Sequence, residues 1–372
     1  MTAKEPQPYI SASALTYRCI SEIKRGNPVI LQHPAAACFF IALDSLSAAG
    51  WRQLSAQFSA DWRLVISQNR LSSLEQQPLP PPASNQAVVR SLPTCSYQQL
   101  RELLSLDALP TTAYISSNTL TVDIAEKTAL ALLRQAGLMP VGISQFLLAE
   151  SIPSYTGKHH ILSFSLDQLQ PIGSPDKEVD FVVETLLPLA AAQESRIILF
   201  REKGAETEHM AVIIGNPDFT KPTLTRIHSS CLTGDVLGSL RCDCGSQLQQ
   251  SIEYMAKHGG GVLIYLLQEG RNIGLANKLR SYHLQNQGLD TLAANWHLGF
   301  SADERSFELA TILLKHLGIS SIQLLSNNPL KSQALQAGGI KIDRMVPMLG
   351  RRNSFNQDYL KTKKQKMGHH LS

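Results

Sequence analysis

Apolar residues recur along this chain in two periods. In 246–258, Leu248, Ile252 and Met255 fall three and four residues apart, one face of a helix, and Gly259–Gly261 supplies the stop. In 303–318, Phe307, Ala310, Leu314 and Leu317 do the same. The spacing also predicts a helix over 272–288, ended by Gly288, and a short one over 329–339. Between them lie short apolar runs bounded by turn formers: 195–202, 209–216, 262–267, 321–326 and 341–348. These read as strands. The C-terminal half is therefore mixed α and β. The N-terminal half alternates too, with helix over 15–26, strand over 28–32, helix over 123–137 and strand with its continuation over 138–150. That is an α/β sandwich pattern.

No internal repeat is visible. The stretch QPLPPPASN, Gln77 to Asn85, reads as an exposed loop. A softer boundary near 187–195 divides the chain into domains 1–190 and 191–372, in line with a length of 372 residues. Hydrophobic residues make up 43% and charged residues 17%, enough for a sizeable core. The net charge of +4 is too mild to call for nucleic acid and suits an anionic small substrate. No apolar run approaches the ~18 residues of a membrane helix, and the first residues lack an apolar signal core. Six cysteines are too sparse for a disulfide scaffold, so a cytoplasmic setting is expected. Cys19, Cys38 and Cys95 are scattered and read as buried apolar residues; His33, His159 and His160 read as ordinary surface histidines.

The other three thiols cluster: Cys231, Cys242 and Cys244, spaced C-x10-C-x-C. A Cys242–Cys244 disulfide would close a strained ring. A redox pair favours C-x-x-C. Zinc fits better. A structural zinc takes four protein ligands, whereas three with one open position is the catalytic pattern. His228 is close in sequence but equally suited to a substrate. Catalytic zinc is the expectation, with structural zinc and no metal as the competing readings.

Three polar clusters follow apolar strands. QEGRNIG, Gln268 to Gly274, combines Glu269 with Arg271 at a helix start, where backbone N–H groups face an anion favourably. A surface turn with a charge pair is the competing reading. Asp303, Glu304 and Arg305 stand at a helix start, and the two acids read equally as complements to the helix dipole. The turn from Leu325 to Lys331 offers Ser326, two amides and Lys331 to a phosphate, or simply a capped helix with Pro329 at its first position. Their shared placement at strand exits favours ligand binding.

Together RIHSSCLTGD, SLRCDCG, QEGRNIGL, DERSFEL and LLSNNPLK, in that order, resemble GTP cyclohydrolase II, from about Arg226 to Gly368. The resemblance implies an α+β catalytic domain, one zinc per domain on Cys231, Cys242 and Cys244, and magnesium with the triphosphate. It implies an activated water attacking guanine C8, with release of formate and pyrophosphate as riboflavin synthesis begins. Asp303 would be the acid/base, Arg305 the residue toward the α-phosphate, and Tyr282 would lie near the zinc water. Arg226, Ile227, His228, Ser229, Ser230, Gln247, Glu269, Gly270, Arg271, Thr291, Ser326 and Lys331 would contact GTP. A guanidinium stays protonated and is a poor nucleophile, so charge stabilisation is the alternative role for Arg305. A homodimer is also implied, with no nucleic-acid or membrane partner.

This chain departs from the family pattern at Ser230, where glutamate is usual, at Leu267 in place of arginine, and at Ser326, which keeps the hydroxyl of a common threonine. A variant cyclohydrolase with altered substrate or a partial reaction is therefore an alternative, as is a non-catalytic zinc-stapled nucleotide-binding protein. CISEIKRGNPVIL and QAGLMPVGI resemble 3,4-dihydroxy-2-butanone 4-phosphate synthase, but its acidic loop is reduced to Asp44 and its Arg-x-Gly-His-Thr-Glu motif is missing. That chemistry needs carboxylates for magnesium and proton transfer. The expectation is a retained fold without the activity.

Overall fold

Among the described residues, two seven-stranded sheets organise the chain. The computed structural model describes residues 9–57, 61–76, 86–106, 117–170, 178–357 and 361–362. The proline-rich stretch 77–85 and most of the basic C-terminal tail lie outside them. The chain forms two compact units. One comprises Met1–Ser174, Leu279–Leu284 and Ala293–Ala302, the other Pro175–Lys278, Gln285–Leu292 and Asp303–Ser372.

In the first unit the strands are β1 (Val29–His33), β2 (Ala36–Ala42), β3 (Trp62–Ser67), β4 (Ala87–Leu92), β5 (Thr119–Leu120), β6 (Val141–Leu147) and β7 (Leu162–Ser165). Their order is β5-β4-β3-β6-β2-β1-β7, antiparallel except for the β1–β7 pair. Helix α1 (Ala12–Lys24) and helix α5 (Ile124–Gln135) pack against this sheet, with α2 (Ala48–Gln57), α3 (Gln68–Leu74), α4 (Tyr97–Glu102) and α6 (Ile152–Lys158) completing the unit. Asp123 caps α5 in a reciprocal box with Glu126, which explains why that helix is legible in the sequence. Cys19, Cys38 and Cys95 are free and buried, and burial pushes the thiols of Cys19 and Cys95 up to about 12 and about 11.

Two polar side chains of this unit take the place of core residues. Arg70 is fully buried and donates to the carbonyls of Leu103, Ser105 and His297. Asp44, the acid left in the degenerate loop, accepts a two-pronged pair from Arg280 at 2.6 and 2.7 Å and a third bond from Met139 N–H. Both anchor segments that come from the C-terminal part of the sequence.

In the second unit the strands are β8 (Val179–Leu186), β9 (Arg196–Glu202), β10 (Glu208–Ile214), β11 (Thr223–Ser229), β12 (Gly261–Leu266), β13 (Ser321–Leu325) and β14 (Lys341–Val346), in the order β14-β13-β11-β12-β10-β9-β8. Strands β12, β11, β13 and β14 run parallel, and β10, β9 and β8 continue the sheet antiparallel. Helices α7 (Cys244–Lys257), α10 (Glu308–His316) and α11 (Pro329–Ala337) belong to this unit, whereas α8 (Gly274–Asn286) and α9 (Thr291–His297) are shared, their stretches 279–284 and 293–297 grouping with the first. Ile227, Ile264, Leu266, Leu313, Leu324 and Leu335 meet in the main core. The parallel centre directs the ends of β11, β12 and β13 to one edge, and the site is built there.

The mixed architecture agrees with the apolar pattern, but two helices are shorter than predicted. The helix expected over 303–318 begins only at Glu308. Asp303 accepts from the Arg305 backbone N–H and guanidinium, a local alternative to helical hydrogen bonding. The helix expected from 272 begins at Gly274, because Gly270, Arg271 and Asn272 all adopt positive φ, near 62°, 61° and 70°.

Candidate active site

Strand β11 brings Arg226, Ile227, His228 and Ser229 to the site edge. Its sequence, Thr-Leu-Thr-Arg-Ile-His-Ser, lacks an apolar strand signature, yet nearly all of it is buried. Arg226 donates to Gln247 Oε1 at 2.7 Å and to the Leu325 carbonyl at 2.9 Å. Gln247 passes the connection on to Asp243 Oδ2 at 2.6 Å, at the start of α7. Lys331 Nζ donates to the Ile227 carbonyl and lies over the Phe307 ring. Ser326 Oγ accepts from Asn328 N–H, and Asn328 caps α11 with Pro329 at its first position. The capped-helix reading of this turn holds.

The chain leaves β11 at Ser230, whose N–H bonds to the Leu266 carbonyl, and reaches Cys231. A π-type turn over Leu232–Val236 follows. Cys242 and Cys244 come from the start of α7, and the three sulfur atoms lie within 4.8 Å of one another. Cys231 and Cys242 are 3.7 Å apart at sulfur. Tetrahedral zinc with Zn–S bonds of about 2.3 Å requires sulfurs about 3.8 Å apart, so this donor set fits zinc. Among the described residues no fourth His, Cys, Asp or Glu joins the group.

The trio depends on a backbone-to-backbone approach. A Cβ on Gly245 would lie 2.2 Å from the Gly234 carbonyl oxygen, and one on Gly234 would lie 2.8 Å from Cys242 Sγ. No side chain fits at either position without moving the thiols. Hydrogen bonds from Cys242 and Cys244, with Lys278 adding its charge, hold the Cys231 thiol far below its ordinary value. The same sharing pushes Cys242 up to about 11 and raises Cys244. Cation binding needs all three sulfurs as thiolates, so it releases the protons that the cluster shares.

His228 does not face the thiols as a ligand. Its Nε2 meets both Asp235 oxygens at 3.1 Å, and burial pushes its pKa down against the pull of Asp235. Asp235 also accepts from Tyr265 O–H and from the Cys231 N–H, which marks it as a carboxylate. The neutral imidazole then carries its proton on Nε2 and leaves Nδ1 as an acceptor. Asp235 and Tyr265 belong to the site although neither stands out in the sequence. Asp235 sits four residues past the first cysteine, and that spacing is the available signal.

Glu269 is drawn toward the thiol loop, accepting from Leu232 N–H at 2.7 Å and from Lys278 at 2.8 Å. The left-handed turn at 270–272 is joined to the Asp303 loop: Glu304 N–H bonds to the Arg271 carbonyl, Asn272 to the Glu304 carbonyl, and Gln268 to the Ser306 carbonyl at 2.6 Å. Asp303 and Arg305 form a fork with contacts of 2.8 and 2.5 Å. Burial pulls the Asp303 carboxyl up, but Arg305 beside it outweighs this and holds it below its ordinary value. Thr291 opens α9 in the same unit, whereas Tyr282, on α8, falls in the segment grouped with the first unit. Arg226 Nε, His228 Nδ1, Ser229 Oγ, Gln268 Oε1 and Asn328 Nδ2 are buried and lack hydrogen-bond partners in this structure. Such orphaned atoms, gathered at strand exits, suit a polar ligand.

The family profile described as GTP cyclohydrolase II matches residues 180–347. Over 376 aligned residues the chain is 35% identical to the GTP cyclohydrolase-2 of Xylella fastidiosa (strain Temecula1 / ATCC 700964), spanning 100% of this chain and 91% of that protein. The chain belongs to the GTP cyclohydrolase II family. The GTP cyclohydrolase-2 of Buchnera aphidicola subsp. Acyrthosiphon pisum (strain APS) is 53% identical over 173 residues, 46% of this chain and 89% of that protein. Among solved structures, a two-domain 3,4-dihydroxy-2-butanone 4-phosphate synthase from A. baumannii aligns over 90% of this chain and 99% of its own at 15% identity, with a TM-score of 0.33. The GTP cyclohydrolase II match covers β11, the thiol loop, the left-handed turn and the Asp303 loop, so this geometry falls within the family's region.

Proposed function

We propose that this enzyme hydrolyses GTP to 2,5-diamino-6-ribosylamino-4(3H)-pyrimidinone 5′-phosphate, formate and pyrophosphate, with zinc on Cys231, Cys242 and Cys244. Ring opening of GTP in riboflavin biosynthesis follows from family membership. The observation carrying the metal reading is the close thiol trio with the spacing of a zinc tetrahedron. Bound there, zinc would supply a water acidic enough to act as a nucleophile near neutral pH. Magnesium would accompany the triphosphate.

The remaining roles fall to side chains of this chain. The orphaned Ser229 Oγ and Gln268 Oε1 offer hydrogen bonds to guanine or ribose. Asp303, kept ionised by Arg305, is set to take a proton. On substrate binding Arg305 exchanges its carboxylate partner for the α-phosphate and stabilises charge there. Lys331 and the Ser326 turn face the phosphates. Arg226, His228 and Gln247 hold the frame in which GTP sits, while Ser230, Glu269 to Arg271 and Thr291 complete the GTP set, with Tyr282 near the reacting water.

We further propose residues 191–372 as the catalytic domain and 1–190 as a non-catalytic domain related to the butanone phosphate synthase. Its remaining loop acid, Asp44, is tied to Arg280 and Met139 N–H, so it cannot hold magnesium without breaking them. A cytoplasmic homodimer is the assembly this reading predicts; among the described residues no helix is long and apolar enough to cross a membrane. The test is incubation of the purified protein with GTP, Zn²⁺ and Mg²⁺ and quantification of formate and pyrophosphate. Equal yields are expected. Absence of both would sink the activity, and formate alone would show that the phosphate step has been lost.

A further inference from the structure

Lys278 has no place in the reaction scheme above, yet it lies against the thiol cluster. It sits on α8, one turn past Gly274, and is only 8% exposed. Its ammonium is 3.1 Å from Cys231 Sγ and 2.8 Å from Glu269 Oε1. The other Glu269 oxygen holds the N–H of Leu232, the residue after that cysteine. Lys278 and Glu269 thus grip Cys231 from both sides, one at sulfur and one through the following peptide. The grip leaves little slack. A Cβ on Gly270 would come within 3.0 Å of Lys278 Cβ, so the left-handed turn packs directly on the lysine stem.

We propose that Lys278 is a positioning residue of the metal centre, which fixes Cys231 and withdraws electron density from its thiolate, rather than a residue that touches GTP. This rests on reading the trio as a zinc site. Three thiolates around a divalent cation leave a net negative centre. Strong thiolate donation reduces the power of the cation to acidify a water. A charged hydrogen bond to one sulfur weakens that donor and shifts the centre back toward Lewis acidity, while adding positive charge beside an anionic cluster. Hydrogen bonds to ligand atoms tune metal centres in this way, and their loss typically costs about 10- to 100-fold in affinity or activity. The spacing in sequence hides the role, because Lys278 lies 47 residues from Cys231 and on a different element.

The experiment loads full-length protein with Co²⁺ or Zn²⁺ and compares Lys278→Met, Lys278→Gln and Lys278→Arg. The readouts are the energy of the thiolate-to-cobalt charge-transfer band and the zinc affinity by chelator competition. Loss of the hydrogen bond makes the Cys231 sulfur a stronger donor. K278M is therefore expected to move the band to lower energy; having lost both the positive charge beside the anionic centre and the grip on Cys231, it is also expected to bind zinc about 10-fold or more weakly. K278R, which keeps a charged donor, is expected to stay near the parent, and K278Q, a neutral donor, to fall between. A band and an affinity unchanged in K278M would overturn the proposal. So would a K278R protein as impaired as K278M, since that would mark lysine shape alone as the requirement. Should K278M fail to fold, K278Q against K278R decides the question: equal bands refute it, and a lower-energy band in K278Q supports it. A parent protein that takes up neither metal would instead refute the zinc reading itself.

Discussion

The Asp303–Arg305 fork makes a prediction at the scale of single residues. Both side chains are 12% exposed. Arg305 holds the Asp303 pKa below its usual value, so their pairing stabilises the fold above the unfolded carboxylate pKa. That contribution is lost as pH falls through the lowered value. In Arg305→Met burial is opposed only by Arg271 and by the backbone N–H of residue 305, each a weaker pull than the lost guanidinium, and the sign is expected to reverse. The Asp303 pKa then lies above its unfolded value, so the variant is penalised at neutral pH and recovers as the solution is acidified. The expected cost at pH 7 is about 3 kcal/mol, the range for breaking a buried pair. Thermal melting of parent and variant from pH 7 to pH 4 checks this, and a stability gap that stays constant with pH refutes it. The residue types Asp-x-Arg are legible in the sequence; their mutual ion pair is not, because 303–307 read there as helix.

At the scale of elements, the thiol cluster depends on how the turn after β11 meets the start of α7. Gly234 and Gly245 let the two backbones touch. Gly245→Ala places a methyl group 2.2 Å from the Gly234 carbonyl oxygen, and no side-chain rotation relieves a clash with backbone. The expected result is loss of bound zinc, measured by elemental analysis, together with loss of formate release while the sheet remains folded by circular dichroism. Retention of one zinc per chain would show that the turn yields. The left-handed turn at 270–272 is a second such device. It stores strain at two residues other than glycine, Arg271 and Asn272, which bonds to the Asp303 loop hold in place. Apolar periodicity carries no signal for either feature. Both are backbone conformations set by contacts between elements distant in sequence.

At the scale of the whole molecule, the N-terminal part of the chain commits its buried charges to its own fold. Two of its buried charges are held on several sides: Glu126 by Arg63, Ser144 and the Asp123 N–H, and Arg70 by three backbone carbonyls. Supplied with ribulose 5-phosphate and magnesium, the protein is expected to form no 3,4-dihydroxy-2-butanone 4-phosphate, measured by chromatography or by coupling to a lumazine-forming assay. Formation of that product would overturn the non-catalytic assignment. Asp44 and Arg70 fasten residues 279–284 and 293–302, so pieces of the C-terminal sequence complete the first unit.

By itself the sequence determined the alternation of helices and strands, the thiol trio and the ordered motifs. Each of these rests on local spacing: an apolar face repeats every 3.6 residues, and donor residues remain chemically recognisable wherever they lie. Only the tertiary structure decided that the polar strand β11 runs through the centre of a sheet, that His228 serves Asp235, that Lys278 grips Cys231, and that the helix at 303 waits until 308. Burial and hydrogen bonding between distant segments set those outcomes, and both are properties of neighbours in space that periodicity along the chain does not encode.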